Sequence, residues 1–228
     1  MNVSRQIPFE FKASAKKSFD NFVCAASNIE VISMLKNFPA HNENFVYLWG
    51  NTGVGKSHCL KSVCHLFPHS AYVSLVKHKN DGAGILDSLH FLDLVCIDDV
   101  ELVLPDQDWE EALFRLYNEI KSNGGRLVIS AENPPRQLQC ILPDLQSRFS
   151  WGVTYQLHEL DDEGKIANLK NFIAANEIAM NDDALEYIYS RSKRDLPTLH
   201  ELLQKLDILS RGAKRIITIP FIKEVMDW

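Results

Sequence analysis

Gly50-Asn51-Thr52-Gly53-Val54-Gly55-Lys56-Ser57 satisfies every position of the pattern G-x-x-x-x-G-K-[ST], and few short motifs constrain a fold so tightly. Such a loop needs a strand to deliver it and a helix to receive it. Its glycines let the backbone curl until successive N–H groups point inward at a phosphate, and the helix N-terminus adds its dipole. The flanks meet that demand. Phe45-Val46-Tyr47-Leu48-Trp49 is the short apolar run of a buried parallel strand, and residues 57–66 carry helical spacing. In the expected site Gly50 to Gly55 wrap the phosphates of a nucleotide, Lys56 reaches the β and γ oxygens, and the Ser57 hydroxyl ligates Mg²⁺.

A second element lies about forty residues downstream. Leu94-Val95-Cys96-Ile97 ends in Asp98-Asp99, an apolar strand with two carboxylates at its end, where P-loop proteins hold magnesium. Asp98 is the expected magnesium partner. Asp99 is placed to orient or deprotonate an attacking water, although its side chain is one methylene shorter than the glutamate usual there. Alone, such a pair reads equally well as a cap or a surface acid cluster; the upstream phosphate loop favours the metal reading. A third strand ends in Ser130-Ala131-Glu132-Asn133-Pro134, which puts Glu132 where a polar side chain senses the γ-phosphate or the water; taken alone it is a turn.

Similar apolar runs recur at 71–76, 127–130 and 153–157, with an amphipathic segment at 109–121. This alternation predicts an α/β unit built on a parallel five-stranded sheet. Beyond Leu157 the runs stop and helical patterns follow at 161–176, 181–192 and 197–210, with Asp161, Asp162 and Asn181 as N-cap candidates. A last helix is expected from Thr218-Ile219-Pro220, because proline at the first helical position lacks only an N–H that would be orphaned anyway. The predicted division is 1–16 as an N-terminal segment, 17–158 as the α/β nucleotide domain and 159–228 as a small helical lid.

Charge narrows the function. The 24 Lys and Arg against 30 Asp and Glu give a net charge of −6, which argues against binding DNA by phosphate neutralisation alone. Residues 160–228 hold ten basic and twelve acidic side chains and form no basic arm. The five cysteines, odd in number and without C-x-x-C spacing, read as reduced thiols of a cytosolic protein. No apolar run suggests a secretion signal or a membrane span, so a cytoplasmic location is expected.

Taken in order, these pieces resemble the AAA+ module of the DnaA family over nearly the whole chain. The resemblance runs from Ser18-Phe19-Asp20-Asn21-Phe22-Val23 through 47–58, 95–100, Leu116-Tyr117-Asn118, Pro134-Pro135-Arg136-Gln137-Leu138 and 142–152 to Ile217-Thr218-Ile219-Pro220-Phe221. The phrases Leu94-Val95-Cys96-Ile97-Asp98, Pro134 to Leu138 and Leu142-Pro143-Asp144-Leu145 are similar to the Hda branch of that family rather than to the initiator. The resemblance implies an AAA+ P-loop NTPase fold with a lid, and ADP or ATP as ligand. It implies that Phe22 and Val23 lie against the adenine, with His58 beside Ser57 at the same site, although by itself His58 reads more readily as a packing or capping residue. It also implies that Arg148 is an arginine finger acting on a neighbouring subunit's nucleotide, the neighbour being DnaA. By itself an arginine here reads as a solvated surface residue. With Trp228 as the last residue, no helix-turn-helix reader is expected, and DNA contact would come through a partner.

Near the N-terminus, Gln6-Ile7-Pro8-Phe9-Glu10-Phe11 is similar to the short motif by which Hda and other proteins grip the polymerase sliding clamp. Its alternating Ile7, Phe9 and Phe11 suit an extended segment in a groove, with Gln6 fixing register. Without that resemblance it reads as a tail packing two phenylalanines on the domain. One departure stands out: Pro197 falls where the family carries its second sensor arginine, with Arg194 three residues away, so efficient ATP hydrolysis by the chain itself is in question. The alternative reading is an ATP-driven helicase loader, and a homo-oligomer is left open.

Overall fold

The computed structural model describes residues 17–228; the motif at Gln6, Ile7, Phe9 and Phe11 lies outside them. The described residues divide into two compact units, the first ending at Glu159 and the second spanning Leu160–Trp228.

The first unit is built on strands β1 (Phe45–Trp49), β2 (Ser70–Ser74), β3 (Leu94–Asp98), β4 (Arg126–Ala131) and β5 (Val153–Gln156). All their pairings are parallel and the order is β2-β3-β4-β1-β5. β3 is buried along its whole length, which explains its unbroken apolar run: parallel strands carry helices on both faces. On one face Val46, Leu48, Leu94, Cys96 and Val128 pack against α1 (Ile29–Lys36) and α2 (Lys56–Cys64). On the other, Tyr47, Val95, Ile97, Leu127 and Ile129 pack against α4 (Gln107–Asn123) and α5 (Pro143–Phe149). Each such buried side chain contributes about 1.5–3 kcal/mol by leaving water.

Two expected elements end two residues early. The run at 71–76 is strand only to Ser74, and Leu75 opens the single turn α3 (Leu75–His78); the helix after the phosphate loop stops at Cys64 rather than residue 66.

The helices begin and end where local chemistry dictates. Asp106 caps α4 by accepting from Trp109 N–H at 3.1 Å, and Gly124 ends it at φ 72°, a left-handed conformation that glycine adopts without steric cost. Glu110 on α4 is fully buried, and its carboxylate accepts the backbone N–H groups of Ile141 at 2.9 Å and Leu142 at 2.7 Å. This clamps the entry to α5, where Pro143 occupies the first turn. Asn28 ties α1 to the end of the unit through a two-way bond with the His158 backbone, both arms 2.9 Å.

β1 and the turn before β5 approach so closely that a β-carbon on Gly152 would fall on the Phe45 carbonyl. Overpacking of this kind costs about 1–3 kcal/mol. Gly152→Ala is therefore expected to lower the melting temperature by about 5 °C. An unchanged melting temperature would mean that the two segments do not meet in this way.

The second unit contains α6 (Asp162–Ala175), α7 (Asp182–Arg191), α8 (Leu196–Ala213) and α9 (Ile219–Met226). Asp161 caps α6, accepting from Gly164 N–H at 2.8 Å, and Asn181 caps α7, accepting from Ala184 N–H at 3.2 Å. Leu169, Leu185, Ile188, Leu199, Leu203 and Phe221 form its core. Pro197 sits in the first turn of α8. Arg194 is engaged within the unit: Nη1 is 2.8 Å from Asp162 Oδ2, and its guanidinium lies over Tyr189.

Among the described residues no helix is long and apolar enough to cross a membrane.

Candidate nucleotide site

The carboxyl ends of β1, β3 and β4 converge, and the loop from Gly50 to Gly55 leaves β1 at the point where the strand order reverses, the usual ligand position in an open parallel sheet. Gly50 N–H donates to Ala131 O at 3.2 Å, which ties the loop to β4. Gly53 and Gly55 take φ values of 89° and 105°, which side-chain-bearing residues rarely adopt. Asn51, Thr52 and Gly53 are exposed and Val54 is buried beneath the loop. Lys56 is 5% exposed; its Nζ donates to Gly50 O at 2.7 Å and Asn51 O at 3.2 Å, so the ammonium lies inside the loop's own curl.

Asp98 is 1% exposed and both its oxygens accept hydroxyl hydrogens, from Tyr72 at 2.5 Å and from Ser130 at 2.5 Å. The Tyr72 hydroxyl also lies near the Ser57 side chain. Tyr72 thus links the two residues expected to hold magnesium, and the hard oxygen donors of Ser57 and Asp98 fit that ion. The Ser130 hydroxyl accepts from Asp99 N–H at 3.0 Å, which helps hold Asp99 at its left-handed φ of 61°.

Asp99, Glu101 and Glu132 surround the mouth of the loop. The Thr52 hydroxyl donates to Glu132, whose backbone N–H donates to Glu101 Oε1 at 2.9 Å, while Glu101 Oε2 is buried without a partner. Burial, then the negative charges of Asp98 and Glu101, push the Asp99 carboxyl up to about 6, although Lys56 opposes the shift. The folded protein therefore holds this proton more tightly than the unfolded chain, and ionisation of Asp99 opposes folding. The penalty is complete above about pH 6 and fades as pH falls toward the ordinary value of 3.8. Asp99→Asn, which also tolerates a left-handed backbone, is expected to raise the melting temperature of the nucleotide-free protein by about 3 °C at pH 8. The gain should shrink at pH 5; an equal gain at both values would show that the carboxyl is not so perturbed.

Among the residues expected to face the base, a β-carbon on Gly55 would lie 2.8 Å from the Phe22 ring, and Phe22 meets His58 edge-on with centroids 5.1 Å apart. His58 Nε2 is 2.8 Å from Ser18 O, anchoring the segment that carries Phe22. Burial holds the His58 imidazole below its ordinary value, which keeps it neutral. Val23 is half-buried beside Phe22 in the chain.

Arg148 belongs to a different place. Its guanidinium lies over Trp151 at 4.0 Å, Phe114 at 5.4 Å and Tyr117 at 5.9 Å. Together with Phe45, Leu127 and Gly152 it lines a small cleft at the amino ends of β1 and β4 and the entry to β5. The phosphate loop leaves the other end of β1, four residues or about 13 Å away. Among the described residues Arg148 has no hydrogen-bonded or ionic partner, and its Nε is buried.

Sequence reading thus located the loop, Asp98, Asp99 and Glu132, and the fold brings them together. It missed Tyr72, Glu101 and Glu110. Tyr72 counted only as part of an apolar run; Glu101, two residues beyond Asp99, had as its sole signal its distance from a known strand end.

A parallel sheet of order 2-3-4-1-5, a complete phosphate loop and a carboxylate at the end of β3, with a four-helix unit following, define a P-loop nucleotide-binding protein of the AAA+ kind. Comparison with known proteins narrows the class. Residues 14–156 match the family model of the bacterial DnaA ATPase domain, and residues 162–226 match that of the Hda lid domain. The chain belongs to this DnaA-related family. A protein of Haemophilus influenzae, described only as uncharacterized, is 34% identical over 99% of this chain and 100% of its own length. Domain III of the replication initiation protein DnaA from Thermotoga maritima superposes with a TM-score of 0.80 at 19% identity, covering 97% of this chain and 98% of that one. AMPPCP-bound DnaA from Aquifex aeolicus gives 0.63 at 19% identity over 84% of this chain and 66% of that one. The Holliday junction branch migration motor RuvB of Thermotoga maritima gives 0.67 at 20% identity over 92% and 71%.

Proposed function

We propose that this chain binds ADP or ATP with magnesium and regulates replication initiation by promoting hydrolysis of ATP held on DnaA, with the sliding clamp loaded on DNA as its platform. The observation that carries this reading is the position of Arg148: a cation without a described partner, at the end of the sheet away from the chain's own phosphate loop. A guanidinium so placed serves a phosphoryl group on another chain, where it stabilises the charge that develops during transfer. The match to the Hda lid domain and the DnaA ATPase domain supports DnaA as that other chain.

In this reading the loop from Gly50 to Gly55 holds the chain's own nucleotide by backbone N–H groups, Lys56 neutralises its phosphates, and Ser57 and Asp98 hold the magnesium. Phe22, Val23 and His58 form the base side. Asp99 and Glu132 orient water at the phosphate end. Magnesium, when bound, draws charge from the phosphate oxygens. Residues Gln6, Ile7, Phe9 and Phe11 are the clamp-binding segment, so DNA is met mainly through the clamp.

The test is partner choice. The purified chain is passed over immobilised sliding clamp and immobilised replicative helicase, with Gln6→Ala as the control. Retention on the clamp that Gln6→Ala loses supports the regulator. Retention on the helicase alone overturns it in favour of a helicase loader.

A further inference from the structure

Resting on that reading of Arg148, we infer that Trp151 and Phe114 are positioning residues: an aromatic cradle that holds the finger by its guanidinium and leaves the Nη hydrogens free for a phosphoryl oxygen on the partner. The local geometry brings the two side chains together. Trp151 N–H donates to Arg148 O at 3.1 Å in the turn that ends α5, so the indole is placed three residues along, beside the arginine that precedes it. Phe114 and Tyr117 reach the same guanidinium from α4, and buried Glu110, one turn earlier on α4, fixes the start of α5.

The chemistry of the cradle explains why it is aromatic and not acidic. A carboxylate would hold Arg148 through its in-plane donors, and these are the donors that bind a phosphate bidentately. An aromatic face attracts the cation through the ring quadrupole and uses none of them. Lys121 Nζ lies 4.6 Å from the same indole, so two cations share Trp151 with no acidic side chain paired to either among the described residues. The buried, unpartnered Nε adds a polar atom out of water. An anion brought by a partner answers the two unpaired cations, meeting Arg148 through its Nη hydrogens because Nε is buried, and the phosphoryl group of a bound nucleotide is the anion this reading supplies. The exposure of Trp151, 56%, leaves the rim open to such a partner.

The experiment compares W151A, W151F, F114L and R148A in single-turnover hydrolysis of ATP preloaded on DnaA, with clamp-loaded DNA present. The protein concentration is varied to separate the maximal rate from the half-saturating concentration. The cradle predicts that W151A loses about tenfold in maximal rate with little change in half-saturation, that F114L loses less, and that W151F, which restores a ring, recovers most of the rate. A second readout needs no partner. In protein carrying 5-fluorotryptophan, the ¹⁹F resonance absent from W151F is that of Trp151, and it should move in R148A. If R148A loses the rate while W151A and F114L keep it, or if the resonance stays put in R148A, the cradle is overturned and the finger stands. If R148A itself keeps the rate, the reading of Arg148 fails and the cradle with it. Should W151A prove unfolded by its melting curve, F114L and W151F decide: a rate equal to wild type in F114L overturns the proposal.

Discussion

Arg148→Ala is expected to lower the rate at which DnaA-bound ATP is hydrolysed in the presence of this protein by about a thousandfold, the range in which arginine fingers act. The variant should still fold, since Arg148 makes no hydrogen bond or ion pair among the described residues and its removal leaves no charge stranded. What it gives up is contact with Trp151, Phe114 and Tyr117, worth about 1 kcal/mol and visible as a melting temperature lower by a few degrees. It should also bind its own nucleotide with unchanged affinity, because the phosphate loop is at the other end of β1. These are three separate measurements: turnover of labelled ATP on DnaA, thermal unfolding, and titration with a fluorescent ADP analogue. Loss of the first, with nucleotide affinity unchanged and the melting temperature lowered by only those few degrees, is the signature of an arginine acting in trans. A parallel loss of nucleotide affinity would instead place Arg148 at the chain's own site.

Lys56→Ala is expected to weaken binding of ADP or ATP by a hundredfold or more, because truncating one member of a buried charge pair costs about 2–5 kcal/mol. Lys56 lies within the loop, donating to the carbonyls of Gly50 and Asn51, so the ammonium is held where phosphates would meet it. Nucleotide at a hundred times its dissociation constant should raise the melting temperature of the wild type by about 5 °C. Lys56→Ala should show a rise of about 1 °C or less at the same concentration. An undiminished rise would remove the loop from nucleotide binding.

How much of this was legible in the sequence follows from which interactions are local. Four of the five strands stood out because helices cover both faces and each reads as an apolar run, β3 most clearly, whereas the edge strand β5 is exposed at alternate positions and showed more weakly. Asp161 and Asn181 marked helix starts because a cap is decided within a few residues, and Pro220 marked the start of α9 because its ring suits the first helical turn. The phosphate loop was legible for the same reason. Tyr72 was not: only the pairing of β2 with β3, which sets Ser74 opposite Asp98, brings its hydroxyl to that carboxylate. Phe114 fitted a helical core stripe, and nothing in the chain between 114 and 148 announces that α4 and the end of α5 share an aromatic cluster. The strand expected at 71–76 ran two residues too long because Leu75 and Val76 continue its apolar pattern into a helical turn.

The account rests on a cation delivered to another protein's ATP, and the most direct measurement is single-turnover hydrolysis of ATP preloaded on DnaA, with this chain added in the presence and absence of clamp-loaded DNA. The account predicts rapid hydrolysis only when the chain and the clamp on DNA are both present, and none of that acceleration with Arg148→Ala. Hydrolysis at the same slow rate in every reaction, with the chain folded and its own nucleotide bound, would contradict it.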